Sequence, residues 1–377
     1  MYWQQKYLRE NLSVDLDGTF ILDLPEQGLL GSLLLRISGN ELTGHGQTGG
    51  DWRIIDEISK LSVLLNQSTP CKSLTGYQAQ ALAFYDQGII PPGAHRNYAT
   101  NTQFEYILVN FGRWLYDFSH GLDLGRFDNV QLQLSNTATA LDFSSLSVSV
   151  LGYFLRDAPA AQFSSYFRTE EWKRWTTVTD ETIYSNLPTD GLLRRIMLQA
   201  IPAQDGTTYK EDTDMSNLMD DVLCALDTGS AEVVHGGIDD ILRENVLDAG
   251  HYGLIGGLNY NNADKAFRTG LGHALYRAWG SGAKDGAASG TIPTGEADST
   301  GGTLAWESYE GDSPVEYMLA GLAPYHTAMI HFDHSGMVDE YLDTNARKTV
   351  KLDIHTRNSA SADDGTNAIV LDRLFYY

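Results

Sequence analysis

Short apolar runs, separated by clusters of glycine, asparagine, aspartate and proline, recur along the whole chain. In the first half these runs read TFILDL, LLGSLLLRI, ISKLSVLL, QFEYILVNF, VQLQL and LSVSVLGYFL. Runs of this length between turn residues are typical of β-strands. VQLQL (130–134) and VKLDI (350–354) alternate strictly between apolar and polar residues, as strands with one buried face do. The pattern therefore predicts a mainly β protein.

The block DGTFILDLPEQGLLGSLLL (17–35) returns as DETIYSNLPTDGLLRRIML (180–198), 163 residues later and without a gap. The identical pairs are Asp17/Asp180, Thr19/Thr182, Leu24/Leu187, Pro25/Pro188, Gly28/Gly191, Leu29/Leu192, Leu30/Leu193 and Leu35/Leu198. Self-similarity at a fixed spacing indicates that one structural unit occurs twice in the chain.

Later segments recur in the same order. TGYQAQALAFYDQG (75–88) and GGIDDILRENVLDAG (236–250) each predict a short helix that ends on Asp-x-Gly, with Gly88 and Gly250 just past the last turn. The strand-like matches are FEYIL (104–108) with VEYML (315–319), FSHG (118–121) with FDHSG (332–336), VQLQLSNT (130–137) with VKLDIHTRN (350–358), and SVSVLGYFL (147–155) with AIVLDRLFY (368–376). The predicted fold is all-β: two tandem eight-stranded jelly-roll sandwiches, each with a short helix between its middle strands.

The spacing between matched segments grows by about 50 residues after Gly250, which places an insertion at about 251–310 in the second copy. Its central part, WGSGAKDGAASGTIPTGEADSTGG (279–302), lacks apolar periodicity and predicts a long exposed loop.

The linker RDAPAAQ (156–162) interrupts the strand pattern with a proline and small residues. We therefore expect an N-terminal jelly roll with an N-terminal arm over residues 1–158. The C-terminal jelly roll, with its insertion, is expected over residues 159–377.

Charge narrows the possible partners. The chain has 26 Lys and Arg against 49 Asp and Glu, a net charge of −23, which repels phosphate and argues against extensive direct nucleic-acid binding. No apolar stretch reaches the length of a membrane span, and the N-terminus lacks the apolar core of a secretory signal. Cys71 and Cys224 lie in apolar segments of different copies and are expected to be buried thiols.

Three local patterns resemble binding motifs, and each has a simpler structural reading. Gly44-x-Gly46-x-x-Gly49 follows a strand-like run but has no surrounding βαβ unit, so it reads as a turn instead of a nucleotide site. Asp15-x-Asp17-Gly18, with Glu26 in the twelfth position, resembles a calcium loop. However, Phe20 replaces the required glycine and FILDL reads as a strand, so a turn before a strand is expected.

Histidines cluster in PYHTAMIHFDHSG, which contains His326, His331, Asp333 and His334. On a strand, His331 and Asp333 would share a face whereas His334 would point the other way, which does not suit a metal site. These residues are read as polar groups at a strand end. No catalytic residue, cofactor or metal ligand is assigned. No Gly-x-Ser-x-Gly elbow, Walker sequence, His-Glu-x-x-His or cysteine pair at ligand spacing occurs.

The sequence predicts two tandem sandwiches, each with a mid-unit helix, and a long loop in one of them. This arrangement resembles the double jelly-roll major capsid proteins of tailless icosahedral viruses, many of which contain an internal membrane. ISKLSVLLNQSTPCKSL (58–74), followed by a helix, is similar to a strand-turn-strand stretch of the bacteriophage and archaeal-virus members. The resemblance implies a non-enzymatic structural protein of the virion capsid, assembled in the host cytoplasm. It also implies a homotrimer of pseudo-hexameric outline that contacts neighbouring capsomers, penton and minor capsid proteins, with the insertion forming a tower.

In that family the N-terminal segment commonly lies at the inner face, against the membrane or neighbouring capsomers. Here the N-terminus carries Tyr2, Trp3, Lys6, Tyr7 and Arg9, an aromatic and basic tip on an acidic chain. This composition suits a partner's groove or a lipid headgroup region. We expect these five residues to contact a neighbouring subunit or inner membrane lipid, and the neighbouring subunit is favoured.

An alternative is a tandem β-sandwich that binds or acts on carbohydrate, since seven Trp and twenty Tyr offer rings for stacking on sugars. That reading requires its tryptophans to line one groove, and the candidates are Trp114, Trp172, Trp175, Trp279 and Trp306. A surface adhesin or appendage subunit is a third reading, which the missing signal peptide disfavours.

Overall fold

The computed structural model of the chain describes residues 1–41, 53–89, 93–97, 102–140, 143–159, 162–201, 215–227, 229–259, 265–270, 277–282, 295–298, 303–308, 314–357 and 365–377.

The first half of the chain forms one complete jelly roll. Its elements are β1 (Tyr2–Val14), β2 (Thr19–Asp23), β3 (Leu29–Glu41), β4 (Ile58–Leu65), β5 (Thr69–Leu74), α1 (Gly76–Gln87), β6 (Gly93–Asn97), β7 (Thr102–Asn110), β8 (Leu122–Asp123), β9 (Val130–Asn136) and β10 (Phe143–Arg156). One sheet has the order β1-β10-β3-β7 and the facing sheet the order β2-β9-β4-β5. Strands that follow each other in the chain thus mostly fall in opposite sheets, which is the jelly-roll arrangement.

The second half repeats this arrangement. Its elements are β11 (Ser165–Thr176), β12 (Thr182–Leu187), β13 (Leu192–Ile201), β14 (Met219–Leu226), β15 (Ala231–Gly237), α2 (Ile238–Ala249), β16 (Tyr252–Asn259), β17 (Lys265–Gly270), β18 (Arg277–Gly282), β19 (Gly295–Asp298), β20 (Thr303–Ser308), β21 (Pro314–Gly321), β22 (Thr327–His331), β23 (Leu342–Asp343), β24 (Val350–Thr356) and β25 (Thr366–Tyr376). The sheet orders β11-β25-β13-β22 and β12-β24-β14-β15 match those of the first half strand for strand. The predicted fold class is confirmed.

The repeated sequence block forms the same backbone in both copies. Asp17 and Asp180 have φ of 50° and 53°, and Gly28 and Gly191 have φ of 133° and 137°. The glycines are retained because residues with side chains rarely adopt this conformation. Both helices contain 12 residues, and each is followed by its predicted glycine, Gly88 or Gly250. The turn before a strand that we predicted at Asp15–Gly18 is present, and β2 follows it.

Two predicted matches between the copies are wrong. In the match of FSHG (118–121) with FDHSG (332–336), Phe332 takes the position of Phe111 instead of Phe118, because Phe111 and Phe332 donate their amides to the corresponding carbonyls of Gly31 and Arg194.

FEYIL lies in β7, but VEYML (315–319) lies in β21, which pairs with β16 and β18 instead of taking the position of β7. The counterpart of β7 is β22: Asn110 lies opposite Ser32 in the first jelly roll, and His331 lies opposite Arg195 in the second. The similar pentapeptides share local strand propensity, whereas their place in a sheet depends on distant partners.

The predicted loop at 279–302 is also wrong where the structure describes it. Residues up to 282 belong to β18, which pairs with β21, and 295–298 form β19, which pairs with β20. The rest of 279–302 lies outside the described residues. β16 joins the same sheet by a parallel pairing with β6 of the first jelly roll, so the insertion is anchored to both copies.

Each sandwich encloses its own apolar core. The larger core includes Leu33, Leu35, Leu61 and Leu132 of the first jelly roll, and the second is built around residues such as Ile196 of β13. Cys71 and Cys224 are buried free thiols, as predicted, and burial raises the pKa of each to about 12. No helix within the described ranges is long and apolar enough to cross a membrane.

Candidate assembly surface

The two jelly rolls are joined edge to edge by strand pairing. β5, the last strand of one sheet of the first jelly roll, pairs in parallel with β11, the first strand of the second: Lys72 lies opposite Thr169 and Ser73 opposite Glu170. The result is a continuous sheet of order β2-β9-β4-β5-β11-β25-β13-β22. We call the β5–β11 contact and the side chains around it the seam.

A buried network of charges fills the seam. Lys72 and Arg195 are 2% and 1% exposed. The Lys72 ammonium donates to Thr169 Oγ1 at 2.7 Å, and this hydroxyl donates to Asp372 Oδ1 at 2.7 Å. Arg195 bridges the two jelly rolls, because its guanidinium donates to Asp372 of β25 at 2.9 Å and also to Asp86 of α1.

Arg194, beside Arg195 on β13, completes the network. Its Nε donates to Asp333 Oδ2 at 2.6 Å, and its Nη1 lies 3.4 Å from both Asp86 and Asp372. Three cations therefore face three carboxylates in a nearly dry space, so the formal charge is balanced. Buried charges of one sign without partners would destabilise the fold strongly.

The network holds Asp372 in its ionised form. Burial by itself raises the pKa of this carboxyl group, but the adjacent Arg195, Lys72 and Arg194 outweigh burial and lower the pKa to about 2. Burial lowers the pKa of Lys72, and the negative charge of Asp372 partly offsets that effect.

Sequence reasoning missed this network, although a signal was available. Where the first copy reads GSLLL (31–35), the second reads RRIML (194–198), which places two arginines inside an apolar strand. Charged residues in a buried strand require partners of opposite charge, and VLDRLF (370–375) supplies one of them, Asp372.

A second hydrogen-bonded group, centred on the uncharged side chain of Gln78, lies at another point of the seam. Gln78 of α1 donates through Nε2 to Gln199 Oε1 of β13 at 3.0 Å and to Glu171 Oε2 of β11 at 2.8 Å. The helix of the first jelly roll is thus the donor, and the second jelly roll provides the acceptors.

Two strand edges that correspond to the two sides of the seam have no partner strand among the described residues. β15 corresponds to β5, and it pairs with β14 alone. β1 corresponds to β11, and it pairs with β10 alone. Unpaired edges of this length are templates for pairing with another chain.

The five N-terminal residues singled out in the sequence lie in β1, a strand of the sheet instead of a separate arm. Tyr2 and Tyr7 are 54% and 46% exposed, and Lys6 and Arg9 are also exposed. Trp3 is half-buried, with its ring 5.6 Å from those of Tyr116 and Phe118.

An apolar cavity opens beside the free edge of β15. It has a volume of about 540 Å³ and lies between β15, α2 and β22. Its wall includes Val233, Ile241 and Phe332, and Glu244 and His331 stand among these apolar groups. Val233 is 36% exposed.

The other candidate residues are placed apart or engaged in structure. In the described part of the chain, no three histidine, cysteine, aspartate or glutamate side chains are grouped to hold a metal ion. His326 is buried next to β22, and burial lowers its pKa to about 3. Asn136 organises the turn at Asp15, accepting from the Asp17 amide and donating to the Asp15 carbonyl. The motif Gly44-x-Gly46-x-x-Gly49 lies outside the described residues.

The tryptophans occupy different kinds of position. Trp114 lies under the guanidinium of Arg113 and against Gly336. On β11, Trp172 is 41% exposed, whereas Trp175 packs against the second core. The side chains of Trp279 and Trp306 lie outside the described residues.

A buried carboxyl group on β7 gives a testable pH dependence. Burial raises the pKa of Glu105 to about 8, although Gln80 donates to it and Arg53 lowers the pKa. An acid whose pKa is raised by folding costs stability as pH rises from its unfolded value towards the folded one. We expect Glu105→Gln to be more stable than wild type at pH 8, by at least about 1 kcal/mol. The advantage should shrink by pH 5, as measured by urea unfolding, and Glu26→Gln, an exposed carboxylate, is the control. A constant difference at all pH values would contradict this assignment.

Two complete eight-stranded sandwiches joined edge to edge define the fold as a double jelly roll. Over 99% of the chain it is similar to the crystal structure of the STIV MCP, with a TM-score of 0.60, 10% identity and 96% of that chain covered. It is equally similar to a chain of the atomic structure of Sulfolobus Turreted Icosahedral Virus, with a TM-score of 0.62, 10% identity, and 99% and 90% coverage of the two chains.

A third similar structure is the major capsid protein P2 from Bacteriophage PM2, with a TM-score of 0.57 and 9% identity, covering 100% of this chain and 98% of that one. No protein-family model matches the chain, and no curated protein matches its sequence. At these identities the likeness defines the fold, and function has to be argued from it.

Proposed function

We propose that the chain is a structural major capsid protein that forms homotrimers of pseudo-hexameric outline and tiles an icosahedral virion shell. The observation that carries this proposal is the edge-to-edge union of two complete jelly rolls along the whole chain, an architecture it has in common with solved structures from viral capsids.

The seam supports self-association. In the seam, the edges of β5 and β11 pair and bury charged side chains between them. The chain has a second pair of corresponding edges, β1 and β15, which the described strands leave unpaired. A heterologous contact between such edges forms a ring of identical subunits when the rotation from one subunit to the next closes. The net charge of −23 supports a shell that makes no extensive direct contact with nucleic acid.

The proposed function also includes a domain boundary, a location, partners and a role for the N-terminal residues. The two jelly rolls are proposed to divide at about residue 158, because β10 ends at Arg156 and β11 begins at Ser165. The protein is placed in the virion capsid after assembly in the host cytoplasm, with neighbouring capsomers, penton and minor capsid proteins as partners. No catalytic residue is assigned. For the N-terminal residues, contact with a neighbouring subunit is favoured over lipid because they lie on an open strand edge.

Purified full-length protein should elute in size-exclusion chromatography with a light-scattering mass about three times the 41.6 kDa of one chain. Negative-stain images should show particles with a six-sided outline. A mass of one chain at all concentrations up to about 1 mg/ml, with no rings or shells in the images, would overturn the proposed function.

A further inference from the structure

We propose that the edge of β1 in one copy of the chain pairs in parallel with β15 of a second copy, in the register of the seam. In this contact Arg36 and Tyr7 of the first copy donate to Asp240 of the second. The inference rests on the proposed self-assembly. It adds the surfaces, the register and the side chains that make the contact.

The register follows from corresponding rows across the two sheets. In the first jelly roll Gln5, Tyr153 and Ser32 lie side by side on β1, β10 and β3. In the second, Thr169, Asp372 and Arg195 form the same row on β11, β25 and β13. Since Ser32 and Arg195 are corresponding positions of the repeated block, Gln5 corresponds to Thr169.

The other side of the contact is fixed by the helices. α1 begins at Gly76 and α2 at Ile238, a spacing of 162 residues, and β5 and β15 lead directly into them. Lys72 therefore corresponds to Val234, and Ser73 to His235. The seam places Thr169 opposite Lys72. The equivalent contact between copies places Gln5 opposite Val234, and Lys6 opposite His235.

The side chains at the corresponding positions are complementary, but hydrogen-bond donors and acceptors are exchanged relative to the seam. Gln78, the donor on α1, corresponds to Asp240 on α2, which is an acceptor. The two acceptors, Gln199 and Glu171, correspond to Arg36 and Tyr7, which are donors. Because both sides change together, the hydrogen bonds of the seam can form between copies with the roles exchanged.

The two surfaces around this contact carry opposite charges. β1 and β3 contribute Lys6, Arg9 and Arg36 to one side. On the other side, His235 of β15 is flanked by Asp221 and Glu232, each 3.3 Å from its ring nitrogens, and both carboxylates are about half exposed. Basic groups that face an acidic edge favour this pairing and disfavour β1–β1 or β15–β15 contacts.

The same contact between copies brings Trp3 of one copy to the apolar cavity beside β15 of the other. Phe167 of β11 donates its backbone amide to the Phe111 carbonyl at 2.9 Å in the seam. Its counterpart on β1 is Trp3, and the counterpart of Phe111 is Phe332, which lines the cavity. Trp3 of one copy is thus brought to the exposed apolar wall around Val233 of the next.

The test replaces each of two charged residues with uncharged glutamine, singly and together, in the full-length protein. Arg36→Gln or Asp240→Gln alone removes one charged partner, and we expect the concentration for half-assembly, from light scattering across a dilution series, to rise at least about thirtyfold. The double variant recreates the Gln78–Gln199 pair of the seam and should recover most of that loss. Asp240→Arg should prevent assembly, whereas Glu26→Arg, the same charge change in the turn between β2 and β3, should not.

Circular dichroism and thermal melting of each variant separate loss of contact from loss of fold. Asp240 is exposed in the single chain, so its variants are expected to melt as wild type does. Assembly of all variants at the wild-type concentration would overturn the inference and leave the proposed function standing. A wild-type protein that never assembles would overturn both.

Discussion

Replacing Arg195 with methionine is expected to destabilise the protein by about 3–5 kcal/mol, the cost of leaving buried carboxylates without their cation. Arg195 is 1% exposed and binds Asp372 and Asp86 at once. Methionine fills similar space, so the loss reports mainly on charge. The measurement is the guanidinium unfolding midpoint, followed by circular dichroism, in wild type and variant.

Arg174→Met is the matched control. Arg174 also pairs with a carboxylate, Glu171, but its side chain is 43% exposed, and such surface pairs contribute at most about 1 kcal/mol. Acid provides a second readout. Since the folded pKa of Asp372 is depressed to about 2, its stabilising contribution is present above about pH 4 and is lost as pH falls towards 2. Equal losses in Arg195→Met and Arg174→Met would show that the seam charges do not stabilise the fold.

Asn245→Leu is expected to cost about 2–5 kcal/mol, because two buried backbone groups lose their partners. Asn245 of α2 donates to the Met329 carbonyl at 2.6 Å and accepts from the Met329 amide at 2.8 Å. Its side chain thus takes the place of a neighbouring strand along the edge of β22. Leucine is of similar size and cannot form either bond. The thermal melting temperature should fall by several degrees at least.

Leu247→Ala is the control on the same helix. Leu247 is 89% exposed, so its truncation should leave the melting temperature within about 1 °C of wild type. Asn245→Asp distinguishes the two hydrogen bonds, because aspartate retains the acceptor and loses the donor. A melting temperature of Asn245→Leu close to that of wild type would show that β22 does not depend on this contact.

The features that the sequence predicted are those with local causes. The block around Gly28 and Gly191 was recognisable because a turn with positive φ demands glycine wherever it occurs. The alternation in VQLQL and VKLDI marked β9 and β24 because each has one face in a core. Together with the helix-like runs at 75–88 and 236–250, they predicted the two jelly rolls and their helices.

The parts that escaped prediction depend on long-range pairing. VEYML has the local character of a strand, but only its partners β16 and β18 place it in the insertion. The seam required Lys72, Asp86 and Arg195, which are distant in sequence, to be recognised as neighbours. Of the assembly surface, the N-terminal residues were found from composition, whereas β15 and Asp240 follow only from comparing the two copies.

The position of the last strand in each sandwich sets the order in which the protein can fold. β10 lies between β1 and β3, and β25 lies between β11 and β13. Neither sheet is continuous until the final residues of its unit are synthesised and inserted into the middle. Contacts so distant in sequence slow folding, and until β25 arrives, β11 and β13 expose strand edges in a growing chain. Chaperone demand during synthesis is therefore expected to be greatest just before β25 leaves the ribosome.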